Sequence, residues 1–237
     1  MKAIIFDMDG VLVDSMSYHA EAWEIVLKTE GINIDKKIIY ELEGANSWQV
    51  SDIILRQHGR IPTESEIQEL SHKKLAIFEQ IEHVRPFDGV TELLEALKPK
   101  YKLAVVSGSN RKTVQTTLNT FFPGIFTVIV DGEETRIGKP SPEPYLRAIE
   151  KLDIPKSHCL VIENAPLGIR SAKSADLRCI AITTSLDKEC LKEADIVVNN
   201  HEELRRFIEK EGVREDNQED IHSNIPYSSE AAPNFPL

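Results

Sequence analysis

Two aspartates, Asp7 and Asp9, follow the apolar run Ala3–Phe6 near the start of the chain. Because side chains two residues apart on an extended chain point the same way, both carboxylates face one cleft at the end of this predicted strand. Open α/β sheets bind ligands at the carboxyl ends of their strands. Two carboxylates held together repel each other, so they imply either a cation between them or a shared proton. Hard oxygen ligands favour Mg²⁺ as that cation.

The Asp-x-Asp spacing also occurs in calcium-binding loops, but the rest of such a loop is missing. Counting from Asp7, the sixth position is Leu12 instead of glycine, and the twelfth is Tyr18 instead of glutamate. A calcium loop is therefore not predicted.

Three further polar groups stand beside later predicted strands and helices. Taken singly, each has a purely structural interpretation, as a helix cap, a solvated charge or a first-turn acid. Together they predict one cleft that binds an anion at a helix amino end and a cation at the carboxylates. The groups are Ser107 with Gly108 after the run Leu103–Val106, Lys139 within the proline-rich segment 138–144, and Glu163 with Asn164 after the run Cys159–Ile162.

Short apolar runs alternate with amphipathic segments along most of the chain. Continuous apolar runs are typical of strands buried on both faces, and their alternation with helices predicts an α/β fold with a parallel sheet. The predicted strands are Ala3–Phe6, Leu103–Val106, Ile125–Val130, Cys159–Ile162, Cys179–Ile182 and Ile196–Val198, and the predicted helices are Gly89–Leu97, Arg111–Thr120, Glu143–Leu152, Pro166–Ala175 and Glu202–Glu209.

The segment from Ser17 to Ile81 has helical patterns only, for example the apolar stripe Ala20, Trp23 and Leu27. We predict an inserted α-helical cap at residues 15–85 and a sheet core built from residues 1–14 and 86–210. The chain crosses between the two parts twice, and two neighbouring crossings make a natural hinge.

The composition argues against several classes of function. The 237 residues include 28 Lys and Arg against 39 Asp and Glu, a net charge of −11, whereas a surface that follows nucleic-acid phosphates needs a basic excess. No apolar run approaches the roughly 20 residues that span a bilayer, and no signal peptide is recognisable, so we expect no membrane association and a cytoplasmic location. Cys159, Cys179 and Cys190 lack metal-ligand spacing and are interpreted as reduced packing residues.

The last segment, residues 211–237, is acidic and contains Pro226, Pro233 and Pro236. It has neither helical nor strand periodicity, so we predict a disordered tail that carries no chemistry.

Four segments, in order along the chain, resemble the motifs of the haloacid dehalogenase-like hydrolase superfamily, in its β-phosphoglucomutase-like and phosphoglycolate phosphatase-like branch. The resemblance covers about residues 1–208 and implies a Rossmann-like parallel-sheet core with an inserted helical cap. It also implies a Mg²⁺-dependent phosphatase of a small phosphorylated metabolite, of the sugar phosphate or phosphoglycolate type. The segments are Phe6–Ser15, Val106–Ser109, Gly138–Pro142 and Ile162–Ile169.

The resemblance implies a role for each candidate residue. Asp7 would attack phosphorus and become an aspartyl-phosphate, and Asp9 would protonate the leaving oxygen and then activate water. Lys139 would hold phosphoryl oxygens and also restrain Asp7. The implied phosphate-binding residues are Ser107, Gly108 and Lys139, and the implied Mg²⁺ ligands are Asp7, the Asp9 carbonyl oxygen, Glu163 and Asn164.

Two positions depart from the family pattern. Asn164 replaces a usual acid, so Mg²⁺ affinity is expected to be weaker or Glu163 to take the direct ligand position. Asp176 stands where glycine commonly ends a helix, and Asp tolerates the left-handed conformation moderately well.

The cap is expected to select the leaving group. His19 and Trp23 lie one turn apart on its first helix, and both could face the cleft; the alternatives are a solvated His19 and a Trp23 in the cap core. We take His19 as a substrate-binding candidate. Related mutases clamp a second phosphate with a lysine and an arginine, where this chain has Glu43 and Ser47. The negative charge disfavours mutase action.

Two alternatives to a phosphatase stay open at this point. A sugar phosphomutase of the β-phosphoglucomutase type would yield an isomer instead of free phosphate. A catalytically weak regulatory protein would bind a metabolite phosphate without turnover, but the intact pair Asp7 and Asp9 counts against it. Dehalogenation is less favoured, because it needs neither Mg²⁺ nor an acid at Asp9. The oligomeric state is not predicted.

Overall fold

The computed structural model describes residues 1–210, and the predicted acidic tail at 211–237 lies outside the described residues. Six parallel strands form one sheet in the order β5-β4-β1-β6-β7-β8. The first strand lies in the middle of this order, so the residues that follow it have neighbours on both sides. The strands are β1 (Ala3–Phe6), β2 (Val13–Asp14), β3 (Arg85–Pro86), β4 (Lys102–Val106), β5 (Val128–Val130), β6 (Cys159–Glu163), β7 (Arg178–Ile182) and β8 (Ile196–Val198).

Helices cover both faces of the sheet, which explains why the strands are continuous apolar runs. Along β1, Ile4 and Phe6 point to one face and Ala3 and Ile5 to the other, and all four are buried. The core helices are α5 (Val90–Leu97), α6 (Arg111–Phe121), α7 (Glu143–Leu152), α8 (Pro166–Ser174) and α9 (201–210). Leucines and valines of α5, α6 and α9 pack on the first face, and α7 and α8 cover the second.

Four helices form the cap between β2 and β3. Its core includes Trp23, Leu27, Ile54 and Leu70. Two of the helices begin with a capping box, in which an N-cap side chain and a residue three positions later satisfy each other's backbone amides. The antiparallel ribbon of β2 and β3 connects the cap to the sheet. The cap helices are α1 (Met16–Thr29), α2 (Lys36–Glu41), α3 (Ser47–Gln57) and α4 (Glu64–Ile81).

The predicted α/β fold with a Rossmann-like parallel sheet is confirmed. One strand is shorter than predicted, because Ile125 bonds back to Phe122 in a turn and only Val128–Val130 pairs with β4. Asp176 has φ of 59°, the left-handed conformation expected there. Cys159, Cys179 and Cys190 are free thiols, two of them buried. Within residues 1–210, no helix has the length and apolar character needed to cross a bilayer.

Candidate active site

The ends of three neighbouring strands bring the predicted core residues together. Phe6 of β1 is in register with Val105 of β4 and Ile162 of β6. The polar residues that come next, among them Asp7, therefore lie side by side at one edge of the sheet. Their order along the chain is Asp7 after β1, Ser107 after β4, and Glu163 and Asn164 at the end of β6.

Lys139 is the centre of a buried charge cluster in the core. Its Nζ donates to Asp7 Oδ1 at 2.5 Å, to Glu163 Oε1 at 2.6 Å and to the Val106 carbonyl at 3.2 Å. The side chain is 1% exposed. Since an ammonium has three N–H donors, all of them are used inside the protein. The family resemblance implied that Lys139 holds phosphoryl oxygens and restrains Asp7; here Lys139 contacts Asp7, and phosphate could reach it only by displacing one of these hydrogen bonds.

The surroundings of Asp7 set its protonation. Burial raises the pKa of Asp7 to about 8; Lys139 lowers it, while Glu163 and Asp9 add repulsion that raises it. Asp7 consequently needs more positive charge than Lys139 alone provides in order to be ionised near neutral pH. Among residues 1–210, Asp7 Oδ2 accepts no hydrogen bond, and Asp7 lines the cavity described below.

Asp9 is held by donors from both the core and the cap. Its Oδ2 accepts from Ser109 Oγ at 2.8 Å and from Ser107 Oγ at 3.3 Å, and its Oδ1 accepts from Ser15 Oγ at 2.6 Å. His19 Nε2 lies 3.3 Å from the same Oδ1. Burial would raise the pKa of Asp9, but His19 and the serine hydroxyls outweigh it and hold the pKa below its ordinary value. Asp9 is therefore a carboxylate in the substrate-free protein.

His19 connects Asp9 to a lysine of the cap. Lys74 Nζ lies 2.6 Å from His19 Nδ1, and the imidazole stacks on Phe78 with ring centroids 4.1 Å apart. A charged Lys74 donates to Nδ1, which leaves the Nε2–H to donate to Asp9. Burial and the nearby Lys74 charge lower the pKa of His19, and burial lowers the pKa of Lys74 to about 8. Neutral imidazole is thus the favoured form.

Glu163 and Asn164 have different surroundings although they are adjacent. Glu163 Oε1 accepts from Lys139 and from Tyr145 Oη at 2.7 Å, and its Oε2 accepts from the backbone amide of Asn164 at 3.0 Å. Asn164 Nδ2 donates to Glu43 Oε1 of the cap at 2.5 Å, while its Oδ1 is buried without a partner. Glu163 therefore holds Lys139, and the arrangement does not support its predicted role as a direct metal ligand.

Two glycines allow the cap to lie directly on the core. A Cβ at Gly108 would be 2.6 Å from the carbonyl oxygen of Gly44, and one at Gly10 would be 2.5 Å from Glu43 Oε1, both in the cap. Gly10 also has φ of +78°, which disfavours other residues. The predicted phosphate-binding turn at Gly108 is therefore in contact with the cap turn around Gly44.

The groups from both parts line one cavity of about 60 Å³. Typical ligand pockets have volumes of roughly 300–1,000 Å³, so this cavity is smaller than the space that a whole phosphorylated metabolite needs. Trp23 and His19 both line this cavity, and Trp23 also belongs to the cap core. The cavity wall includes Asp7, Asp9, His19, Trp23, Glu43, Ser47, Lys74, Gly108 and Ser109.

The donor set fits a hard divalent cation. Within residues 1–210, no three His, Cys, Asp or Glu side chains are grouped as a metal site. The predicted set, however, also uses a backbone carbonyl and an amide oxygen. The buried, unpartnered oxygens Asn164 Oδ1 and Glu43 Oε2 are acceptors that a cation would satisfy.

Sequence reasoning missed three functional candidates. Lys74 lies four residues from both Leu70 and Phe78, on the buried stripe of α4, and a lysine on such a stripe is a detectable signal. Tyr145, in the first turn of α7, carries no comparable signal, whereas Ser109 ends the family-like segment Val106–Ser109 and was given no role of its own. Glu43 was noted only for its charge, because the sequence does not show that it reaches Asn164.

The comparisons with known proteins identify the family of the chain. The sequence profile described as "Haloacid dehalogenase-like hydrolase" matches residues 4–182. The chain is 30% identical to the β-phosphoglucomutase of Bacillus subtilis, over 86% of this chain and 92% of that one. It is also 30% identical to a phosphorylated carbohydrates phosphatase of Thermotoga maritima, over 83% and 93%. The solved structure of Clostridium difficile β-phosphoglucomutase has a TM-score of 0.78 at 27% identity, covering 93% of this chain and 99% of that one.

The chain therefore belongs to the haloacid dehalogenase-like hydrolase family. The predicted family and the prediction of an enzyme are both confirmed.

Proposed function

We propose that the protein is a Mg²⁺-dependent phosphatase that hydrolyses a small phosphorylated metabolite, of the sugar phosphate or phosphoglycolate type, through an aspartyl-phosphate at Asp7. The observation that carries the proposal is the Asp7 carboxylate, fixed by Lys139 at 2.5 Å, in a cavity that Asp9 also lines. One group is thus placed to attack and a second to move a proton.

In the first step, an Asp7 oxygen forms a bond to phosphorus as the bond from phosphorus to the leaving oxygen breaks. The leaving oxygen takes a proton from Asp9. Because His19 and the serine hydroxyls keep Asp9 ionised before binding, the substrate monoanion brings that proton, or the phosphate charge raises the pKa of Asp9 on binding. Ser107 Oγ would hold a phosphoryl oxygen by giving up its 3.3 Å hydrogen bond to Asp9 Oδ2, and the Gly108 backbone amide lies in the same turn.

In the second step, the oxygen of a water molecule attacks phosphorus while Asp9 accepts a proton from that water molecule. The bond between phosphorus and Asp7 breaks at the same time. His19 holds Asp9 in position, and the cap narrows the cavity beside both residues to about 60 Å³, which limits the entry of bulk water. Mg²⁺, when held by Asp7, the Asp9 carbonyl and Asn164, would offset the charge of two approaching anions.

The relatives support the substrate class, since their names include a phosphorylated carbohydrates phosphatase and a β-phosphoglucomutase. Between these two activities, Glu43 favours hydrolysis. It is buried, 5% exposed, in the wall of the cavity, and burial together with Asp7, Glu163 and Asp9 raises its pKa well above the ordinary value, so it offers a second phosphate no positive charge. A cytoplasmic location stays a prediction from the sequence.

The proposal is tested by phosphate release from an aryl phosphate and a panel of sugar, polyol and two-carbon acid phosphates, with Mg²⁺ or with a chelator. We expect Mg²⁺-dependent release of phosphate and the loss of that activity in Asp7→Asn. Asp14→Asn, at the exposed end of β2, is the matched control. Isomer formation that requires a bisphosphorylated activator would identify a mutase, and phosphate binding without turnover would identify a regulatory protein.

A further inference from the structure

Two buried oxygen atoms at the boundary of cap and core have no hydrogen-bond partner. They are Glu43 Oε2 and Asn164 Oδ1, the unsatisfied buried side-chain polar atoms of residues 1–210. Their side chains are 5% and 0% exposed and are joined by the 2.5 Å bond from Asn164 Nδ2 to Glu43 Oε1. Since proteins rarely leave buried acceptors unpaired, the pair calls for a hydrogen-bond donor or a positive charge.

The surrounding charge favours a cation. Four carboxyl groups lie in or beside the cavity against two ammonium groups, so ionising all four acids together requires further positive charge, which one divalent cation would supply. Space is also restricted, because a Cβ on Gly10 would lie 1.9 Å from Asn164 Nδ2 and 2.5 Å from Glu43 Oε1. An ion fits such surroundings better than a substrate hydroxyl with its carbon skeleton. The charged groups are Asp7, Asp9, Glu43 and Glu163, and Lys74 and Lys139.

We propose that Glu43 of the cap supplies the carboxylate that Asn164 lacks, so that the divalent cation of the active site is held by cap and core together. The inference rests on the proposed function, from which it takes the cation. The neutral residue at position 164 fits this arrangement, because an aspartate there would lose the Nδ2 donor and repel Glu43.

Cap closure and cation binding would then be linked. Glu43 lies in the turn after α2, and Asn164 follows β6, 121 residues further along the chain. A cation that contacts both binds the closed arrangement better than the open one. By linkage, binding shifts the cap toward closure without any substrate.

The test measures Mn²⁺ binding to substrate-free protein by electron paramagnetic resonance. Glu43→Gln removes the charge but keeps an oxygen that accepts from Asn164, so a purely structural role predicts unchanged affinity. We expect Mn²⁺ affinity to fall at least about tenfold. Asn164→Asp added to Glu43→Gln should recover about threefold or more of that loss, because it returns one negative charge. Glu41→Gln, an exposed glutamate at the end of α2, is the matched control and should not change the affinity.

Hydrogen exchange of the amides at residues 40–45 supplies a second readout. Mn²⁺ should slow their exchange in the parent protein and in Glu41→Gln, but not in Glu43→Gln. Equal Mn²⁺ affinity of the parent and Glu43→Gln would overturn this inference and leave the proposed phosphatase standing. A parent protein that binds no Mn²⁺ but releases phosphate would overturn both the inference and the proposed metal dependence.

Discussion

The active site contains two buried lysines, and their surroundings differ. Lys139 of the core contacts two carboxylates, Asp7 and Glu163, at 2.5 and 2.6 Å. Lys74 of the cap contacts the neutral imidazole of His19 at 2.6 Å and lies over the ring of Phe78, 4.7 Å from its centroid. Burial disfavours the charged form of both lysines. For Lys139, the carboxylates of Asp7 and Glu163 outweigh burial and raise its pKa above the ordinary value. Lys74 instead has a pKa lowered to about 8.

This difference indicates that the charged groups of the core and of the cap have different roles. In the core cluster Lys139 contacts two carboxylates, so it keeps Asp7 in one position, and its removal would leave both carboxylates buried without a cation. In the cap cluster, the buried Lys74 contacts an imidazole and, within residues 1–210, forms no ion pair with a carboxylate. Glu43 in the same cluster has an oxygen without a hydrogen-bond partner. Groups that cost stability and line the cavity are expected at positions retained for binding or chemistry.

The largest effect expected is on the core nucleophile. Asp7→Asn should lower kcat by a factor on the order of 10³–10⁴ or more, because covalent catalysis is removed. The fold should persist, since Lys139 keeps Glu163 as a partner. Phosphate release and a thermal melt check both points, with Asp14→Asn as the control. Residual activity within about tenfold of the parent would contradict an aspartyl-phosphate at Asp7.

The core lysine is next. Lys139→Met should lower the free energy of unfolding by about 3–5 kcal/mol, since it leaves two buried carboxylates without their cation. Lys112→Met is the control, because it breaks an exposed 2.7 Å ion pair with Glu79 and should cost at most about 1 kcal/mol. Urea unfolding measures both. Adding Glu163→Gln to Lys139→Met should recover part of the loss, and no recovery would contradict the charge argument.

The cap lysine should respond in the opposite direction. Lys74 has a pKa of about 8 in the folded protein against 10.5 as its ordinary value, so its buried charge costs about 3 kcal/mol at pH 7. Lys74→Met should therefore raise the free energy of unfolding while lowering activity. Between about pH 8 and 10.5 the unfolded parent binds more protons than the folded one. The stability of the parent relative to Lys74→Met should thus rise with pH across that window.

Urea unfolding of both proteins at pH 7 and at pH 10 tests this expectation. A destabilised Lys74→Met at pH 7 would show that Lys74 is stabilised by its contacts, as Lys139 is, and would remove the contrast between the two lysines.

The smallest effect concerns the core away from both clusters. Asp176 is left-handed, with φ of 59°, so Asp176→Gly should raise stability by at most about 1 kcal/mol and Asp176→Ala should lower it by a similar amount. Activity should stay unchanged in both. Calorimetric melts give the order of the three proteins, and Asp176→Ala above Asp176→Gly would contradict the strain argument.

Much of the core could be predicted from the sequence because its evidence is local. Each strand is a short apolar run, and Asp7, Ser107 and Asn164 each follow one directly or closely. Since parallel strands end at the same edge of a sheet, their adjacency follows once the order of elements is known. The ends of the strands could be predicted less accurately, as Ile125 shows. An apolar residue can pack against the core from a turn as well as from a strand.

The sequence alone determined the α/β fold, the family motifs and the core residues that carry the proposed chemistry. Only the tertiary structure decided that Glu163 accepts a hydrogen bond from Lys139, that Lys74 contacts His19 and that Glu43 accepts from Asn164. The last two contacts join residues 55 and 121 positions apart. These contacts depend on how α1 packs on α4 and on how the cap lies on the core. No local sequence pattern encodes them, because the same apolar faces can be buried with many orientations of the polar side chains at their edges.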